Sequence, residues 1–155
     1  MITLHQQKAL ALALSQKGIR EAPHPPAPEN KQKYSEYFGY GPQFWCADFV
    51  AWCMDRTGNR DHKVPWGYPS ACANIAAWGK KTGKLHSQPR KGDIFVKKDA
   101  NNPNKCVHTG FVTSADGSSF MTVEGNTSGP QGDIYVNTHA RDASSGMYSF
   151  VGPWS

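Results

Sequence analysis

The apolar period of this chain changes once, and that change limits its fold more than any other feature. Up to residue 81 hydrophobic residues recur at three- and four-residue intervals, the spacing of one helical face. Beyond the turn Pro89-Arg90-Lys91-Gly92-Asp93 they gather in short runs rich in β-formers. Helices first and a sheet afterwards is an α+β pattern, with the helices packed on an antiparallel sheet of about four to six strands.

In the first half, Thr3 and Gln6 form a capping-box pattern, and Leu10, Ala13, Leu14 and Lys17 continue a helix over residues 4–17. Four prolines between Glu21 and Asn30 rule out regular helix there and predict an extended loop. Lys31 to Phe38 reads as a short helix. A further helix is expected after Ser70 as its cap, with Ala71, Ile75 and Trp78 on one face, ending at Gly79. In the second half the expected strands are Ile94–Val96, Val107–Thr113, Ser119–Glu124, Ile134–Val136 and Tyr148–Val151. Asp116-Gly117 marks a hairpin between the second and third of these.

The most informative helix begins at Cys46. Phe49, Val50, Cys53 and Met54 follow it by three, four, seven and eight residues, so they share its face. Pro42 and Gln43 lie just before this face and Gly58 after it, placing Cys46 in the first turn. There a thiol meets unpaired backbone N–H groups and the positive end of the helix dipole, and both favour thiolate.

His108 opens the strand that leads into the hairpin, and Gly110 and Val112 share its face. A strict two-residue turn about Asp116-Gly117 pairs His108 with Gly125 and turns Glu124 and Asn126 away. A register different by one residue brings Glu124 or Asn126 onto the histidine's face, and the sequence leaves that choice open. A thiolate attacks an acyl carbon well only with an imidazole to manage the proton and a third polar group to hold the imidazole. Cys46, His108 and Glu124 or Asn126 supply those parts.

The segments Trp45–Cys53, Pro89-x-x-Gly92-Asp93-Ile94, His108–Val112 and Val123–Asn126 together resemble the CHAP family. These are cysteine, histidine-dependent amidohydrolases and peptidases with a papain-like α+β fold. The resemblance implies cleavage of peptidoglycan, at the muramoyl–alanine amide or within the stem peptide and cross-bridge. It makes Cys46 the nucleophile, His108 the general base and Glu124 the orienting residue, with Asn126 assisting. Backbone N–H groups at the helix start would meet the oxyanion. Some relatives bind calcium through acids just before the cysteine. Here Tyr34 to Trp45 holds only Glu36, so no metal or other cofactor is expected, and Asp99–Asn104 reads as a polar loop.

The remaining expectations concern setting. The chain reads as one catalytic domain over residues 1–155, monomeric, with peptidoglycan as its partner. Its six-residue apolar run Ala9–Leu14 is too short for a signal peptide or a membrane span. An enzyme reaching the wall after lysis, as a phage endolysin does, or after delivery by another system fits that reading. Seventeen Lys and Arg against twelve Asp and Glu give +5, which favours anionic partners. Two rivals remain: an inactive wall-binding module on the same fold, and a basic nucleic-acid binder stacking bases on its five tryptophans. The four cysteines are expected to be reduced, because a chain of this length does not require disulfide staples.

Overall fold

A computed structural model describes residues 2–20, 30–128 and 134–155. The proline-rich loop expected from Glu21 to Asn30 lies outside the described residues except for Asn30. Four helices come first: α1 (Leu4–Ser15), α2 (Lys33–Tyr37), α3 (Cys46–Arg56) and α4 (Cys72–Lys81). Six strands follow, β1 (Leu85–His86), β2 (Ile94–Lys98), β3 (Cys106–Asp116), β4 (Ser119–Ser128), β5 (Ile134–Asp142) and β6 (Tyr148–Val151). They form one sheet in the order β1-β6-β2-β3-β4-β5, with antiparallel pairing throughout.

The first helix forms as its sequence predicts. Thr3 Oγ1 accepts from the Gln6 N–H at 3.0 Å, and Gln6 Oε1 accepts from the Thr3 N–H at 2.8 Å. Ala9, Leu10 and Ala13 face inward, and the buried Gln6 also donates to the Gly92 carbonyl at 3.0 Å. Ser70 does not cap α4. Its hydroxyl donates instead to Asp48 Oδ1 at 2.6 Å, and Ala71 occupies the cap with no side-chain bond. A buried carboxylate recruits that hydroxyl more strongly than a helix end whose N–H groups water can reach.

Strand alternation gives the sheet two apolar faces. Ile94, Val96, Phe111, Val123 and Val151 pack with Leu10, Phe49, Val50, Cys53 and Ile75 from the helices. Phe95, Val112, Phe120 and Phe150 form a smaller cluster on the opposite face. Trp45, Trp52, Trp66 and Trp154 are buried and Trp78 is half-buried, so core packing consumes the rings a base-stacking surface would need. Among the described residues no helix is long and apolar enough to cross a membrane.

The expectation of reduced cysteines is overturned for one pair. Cys72 begins α4 and Cys106 begins β3, and the packing of α4 beside the sheet brings their Cα atoms to 5.8 Å, where they form a disulfide. Cys106 lies thirty-four positions after Cys72, so the bridge closes a long loop and acts on chain entropy whatever the size of the core. Replacing both by serine is expected to cost about 2–4 kcal/mol, read as a fall in the urea midpoint. Cys46 and Cys53 remain free.

Candidate active site

One backbone irregularity settles what the hairpin's sequence leaves open. The tip pairs Asp116 with Ser119, then Ala115 with Phe120 and Ser114 with Met121. Carried on without interruption, that register would set Glu124 opposite Phe111, on the helix-facing side. Thr113 is an extra residue, and beyond it Val112 pairs with Thr122 and Phe111 with Val123. This bulge moves Glu124 through the sheet onto the face of Gly110 and His108. Gly110 completes the arrangement: a Cβ there would lie 2.9 Å from Glu124 Cγ and 2.7 Å from the Phe95 ring. The acid's side chain occupies the space that the missing methyl leaves.

On that face His108 Nε2 lies 2.7 Å from Glu124 Oε1. Glu124 is fully buried and the His108 side chain is 16% exposed. The carboxylate takes three further bonds: Arg141 Nε donates to Oε2 at 2.6 Å, Arg141 Nη2 to Oε1 at 2.7 Å, and the Thr122 hydroxyl to Oε2. Burial acts most strongly on Glu124 and opposes its charge, yet Arg141 and His108 together outweigh it and hold the carboxyl at about 2. Burial is also the largest influence on His108 and disfavours the imidazolium. Contacts with Cys46 and Glu124 overcome it and raise the imidazole to about 9. With Nε2 engaged by the acid, Nδ1 is the nitrogen left for the thiol.

Cys46 is the first residue of α3, with Trp45 as the cap residue beneath it. Trp45 is buried and stacks on Tyr34 at 5.4 Å. The first turn is also held by Asp48, a fully buried carboxylate. Its Oδ2 accepts from Ser35 at 2.6 Å and Gln43 at 2.7 Å, and its Oδ1 from Ser70 at 2.6 Å. Three loops and helices are thereby tied to the residue two places beyond the thiol. The hairpin meets this turn through Gly125, where a Cβ would lie 2.6 Å from Phe49 Cβ and 2.9 Å from the Trp45 ring. Only a residue without a side chain allows β4 so close to α3.

Cys46, His108 and Glu124 are therefore brought together, and Asn126 is not part of the hydrogen-bonded set. It sits in the left-handed region at φ 52° within a second bulge, where Gly125 and Asn126 face Val136 alone. Its side chain makes no hydrogen bond among the described residues. The residues that sequence reading missed are Asp48, Thr122, Arg141 and Tyr148. Asp48 carried a signal, an acid in the first turn of an otherwise apolar helix. Arg141 carried none, since one basic residue in a late strand looks like any solvated side chain. Among the described residues no group of three or more His, Cys, Asp or Glu is placed to hold a metal ion.

Such an arrangement can deprotonate a thiol, stabilise the resulting charge pair and return a proton to a leaving group. Among solved structures, the crystal structure of Ly7917 superposes with a TM-score of 0.53 at 15% identity, covering 96% of this chain and 62% of that one. A second structure, of Ly7917 with the hydrolyzing product of MDP, gives 0.48 at 14% identity, with 96% and 63% covered. At such identities the likeness concerns the fold, and this chain spans less than two thirds of the Ly7917 chain. No curated protein matches the sequence. The CHAP domain model matches residues 35–126, from α2 through the cysteine helix to the hairpin's second strand. The chain belongs to the CHAP domain family.

Proposed function

We propose that this protein is a peptidoglycan hydrolase that cleaves an amide bond by cysteine catalysis. The bond is the N-acetylmuramoyl-L-alanine linkage or one within the stem peptide or cross-bridge. The observation that carries the reading is the buried His108–Glu124 pair standing against Cys46 at the start of α3. In this mechanism the Cys46 sulfur attacks the carbonyl carbon while backbone N–H groups at the start of α3 donate to the developing oxyanion. The His108 imidazolium gives its proton to the departing amine, leaving a thioester. Neutral His108 then takes a proton from water, whose oxygen attacks the thioester, releases the acid and expels the Cys46 thiolate, restoring the thiolate–imidazolium pair. Glu124 keeps the ring oriented through both steps and stays ionised.

Charge supports a polyanionic substrate. A cavity of about 350 Å³ is lined by Lys80, Lys97, Lys98 and Lys105 and by Cys106, two residues before His108. No acidic side chain lines it. The test is incubation of the protein with purified muropeptides in metal-free buffer, followed by mass analysis. Pairs of fragments whose masses sum to the intact muropeptide plus one water are expected, and the individual masses name the bond. Intact muropeptides after incubation with folded protein would overturn the reading in favour of a wall-binding module.

A further inference from the structure

Arg141 lies on β5, opposite Phe120 of β4, the fifth strand after the cysteine helix in the chain's order. Its guanidinium spends both edges on neighbours. Nε and Nη2 grip the two oxygens of Glu124 at 2.6 and 2.7 Å, and Nη1 donates to the Tyr148 hydroxyl at 3.0 Å. Its plane also lies over the Phe95 ring at 5.3 Å, so an aromatic face supports the cation from a third strand. An ionised carboxylate offers about four acceptor sites. Those of Glu124 are filled by Arg141 twice, Thr122 and His108. No water is needed to hold it, and it cannot turn about its terminal bond without breaking the fork.

Resting on the reading of His108 as the proton-handling partner of Cys46, we propose that Arg141 is a positioning residue for the reaction. It locks the plane of the Glu124 carboxylate with Oε1 aimed at His108 Nε2, and so turns Nδ1 of the same ring toward the thiol. Arg141 touches no reacting atom. It acts through Glu124, and Tyr148 and Phe95 act through Arg141.

The groups facing Glu124 are His108 from β3, Arg141 from β5 and Thr122 from its own strand. Cys46 bears on it through His108, and His139 turns its ring to Thr127 instead, at 2.8 Å. Without the guanidinium, burial of the carboxylate is opposed by His108 as the one remaining cation, with the neutral Thr122 hydroxyl beside it. Glu124 then takes up a proton at a higher pH than in the wild type, and the imidazole loses its anchor as the solution turns acid.

The experiment compares wild type, Arg141→Gln and Arg141→Lys at pH 8 and pH 5. Two rates are followed: muropeptide cleavage and alkylation of Cys46 by iodoacetamide. Cys53 does not compete in the second assay, being fully buried with its thiol pushed well above the ordinary value by desolvation, and the other two cysteines are bridged. Arg141→Gln is expected to lower kcat about 10- to 100-fold at pH 8 with KM changed less than about threefold, and about tenfold further at pH 5. Its alkylation rate should show the same additional loss at pH 5. Arg141→Lys keeps a cation without the fork, so it should remove most of the extra acid loss and still turn over more slowly than wild type.

An equal loss at both pH values, with the wild-type alkylation profile, would overturn the proposal and leave Arg141 a fold residue. Should Arg141→Gln not fold, the lysine variant decides: wild-type kcat in folded Arg141→Lys overturns the proposal, and lowered kcat at unchanged KM supports it. Should the wild type cleave no muropeptide while the variants still shift the alkylation profile, the substrate reading fails and the positioning role stands.

Discussion

Cys46→Ala is expected to reduce muropeptide cleavage by about 10⁵- to 10⁶-fold, to the background left by binding and backbone donors alone. At about 1.4 kcal/mol per decade this is about 7–8 kcal/mol of transition-state stabilisation. Nothing else in the site can replace the sulfur, because Cys53 lies inside the core and the remaining two cysteines are joined. The fold should scarcely notice the change. Cys46 is half-buried at the outer end of its helix, and alanine suits that position, so stability should stay within about 1 kcal/mol of wild type. Melting curves alongside the digestion assay check both halves. A variant that melts with the wild type and still cleaves would remove Cys46 as the nucleophile.

Glu124→Gln should damage stability and activity together. The amide keeps the shape of the acid and removes the charge that two neighbouring cations use. Arg141 is left half-buried with no counter-ion, since its other hydrogen-bond partner, Tyr148, is a neutral hydroxyl. Breaking a buried pair in this way costs about 3–5 kcal/mol. Loss of the His108 anchor should lower kcat by about 10²- to 10⁴-fold.

The same pair fixes how stability depends on pH. Glu124 falls from 4.5 to about 2 on folding, so its contribution is complete above pH 4.5 and disappears as pH falls toward 2. His108 rises from 6.5 to about 9, so its contribution is complete below pH 6.5 and disappears as pH rises through 9. Both are whole only between about pH 4.5 and 6.5. Urea midpoints measured from pH 3 to pH 10 should show that plateau in the wild type. Glu124→Gln should lie lower and flatter on both flanks, and a parallel curve would remove the pair as its origin.

How much of this was legible in the chain differs from part to part. The start of α3 at Cys46 could be read because the helical face is unbroken from Cys46 to Met54 and nothing competes with it. The hairpin could be located, and its register could not. Thr113 has no feature marking it as the extra residue, yet that single position decides whether the acid meets the histidine or Phe111. The disulfide was missed because its halves lie in elements far apart in the chain, and their meeting depends on how α4 packs on the sheet. Arg141 was missed for a related reason. Its importance comes from Glu124, seventeen residues earlier on β4, and only the folded sheet places the two side chains together. Strand β1, two residues long, is too short for any period to show.

Gly125 brings the β4 backbone directly against Phe49 and Trp45, so nothing compressible separates the thiol's helix from the hairpin bearing the histidine and acid. Interiors packed at this closeness transmit force without yielding. The chemical groups therefore move as one piece, with no hinge between nucleophile and base. The segment Gly39–Phe44, which leads into α3, is itself tied to that helix through Gln43 and Asp48 and leaves Phe44 78% exposed. On the proposed reading a substrate would meet a centre assembled before it arrives, and binding would have no closure to drive.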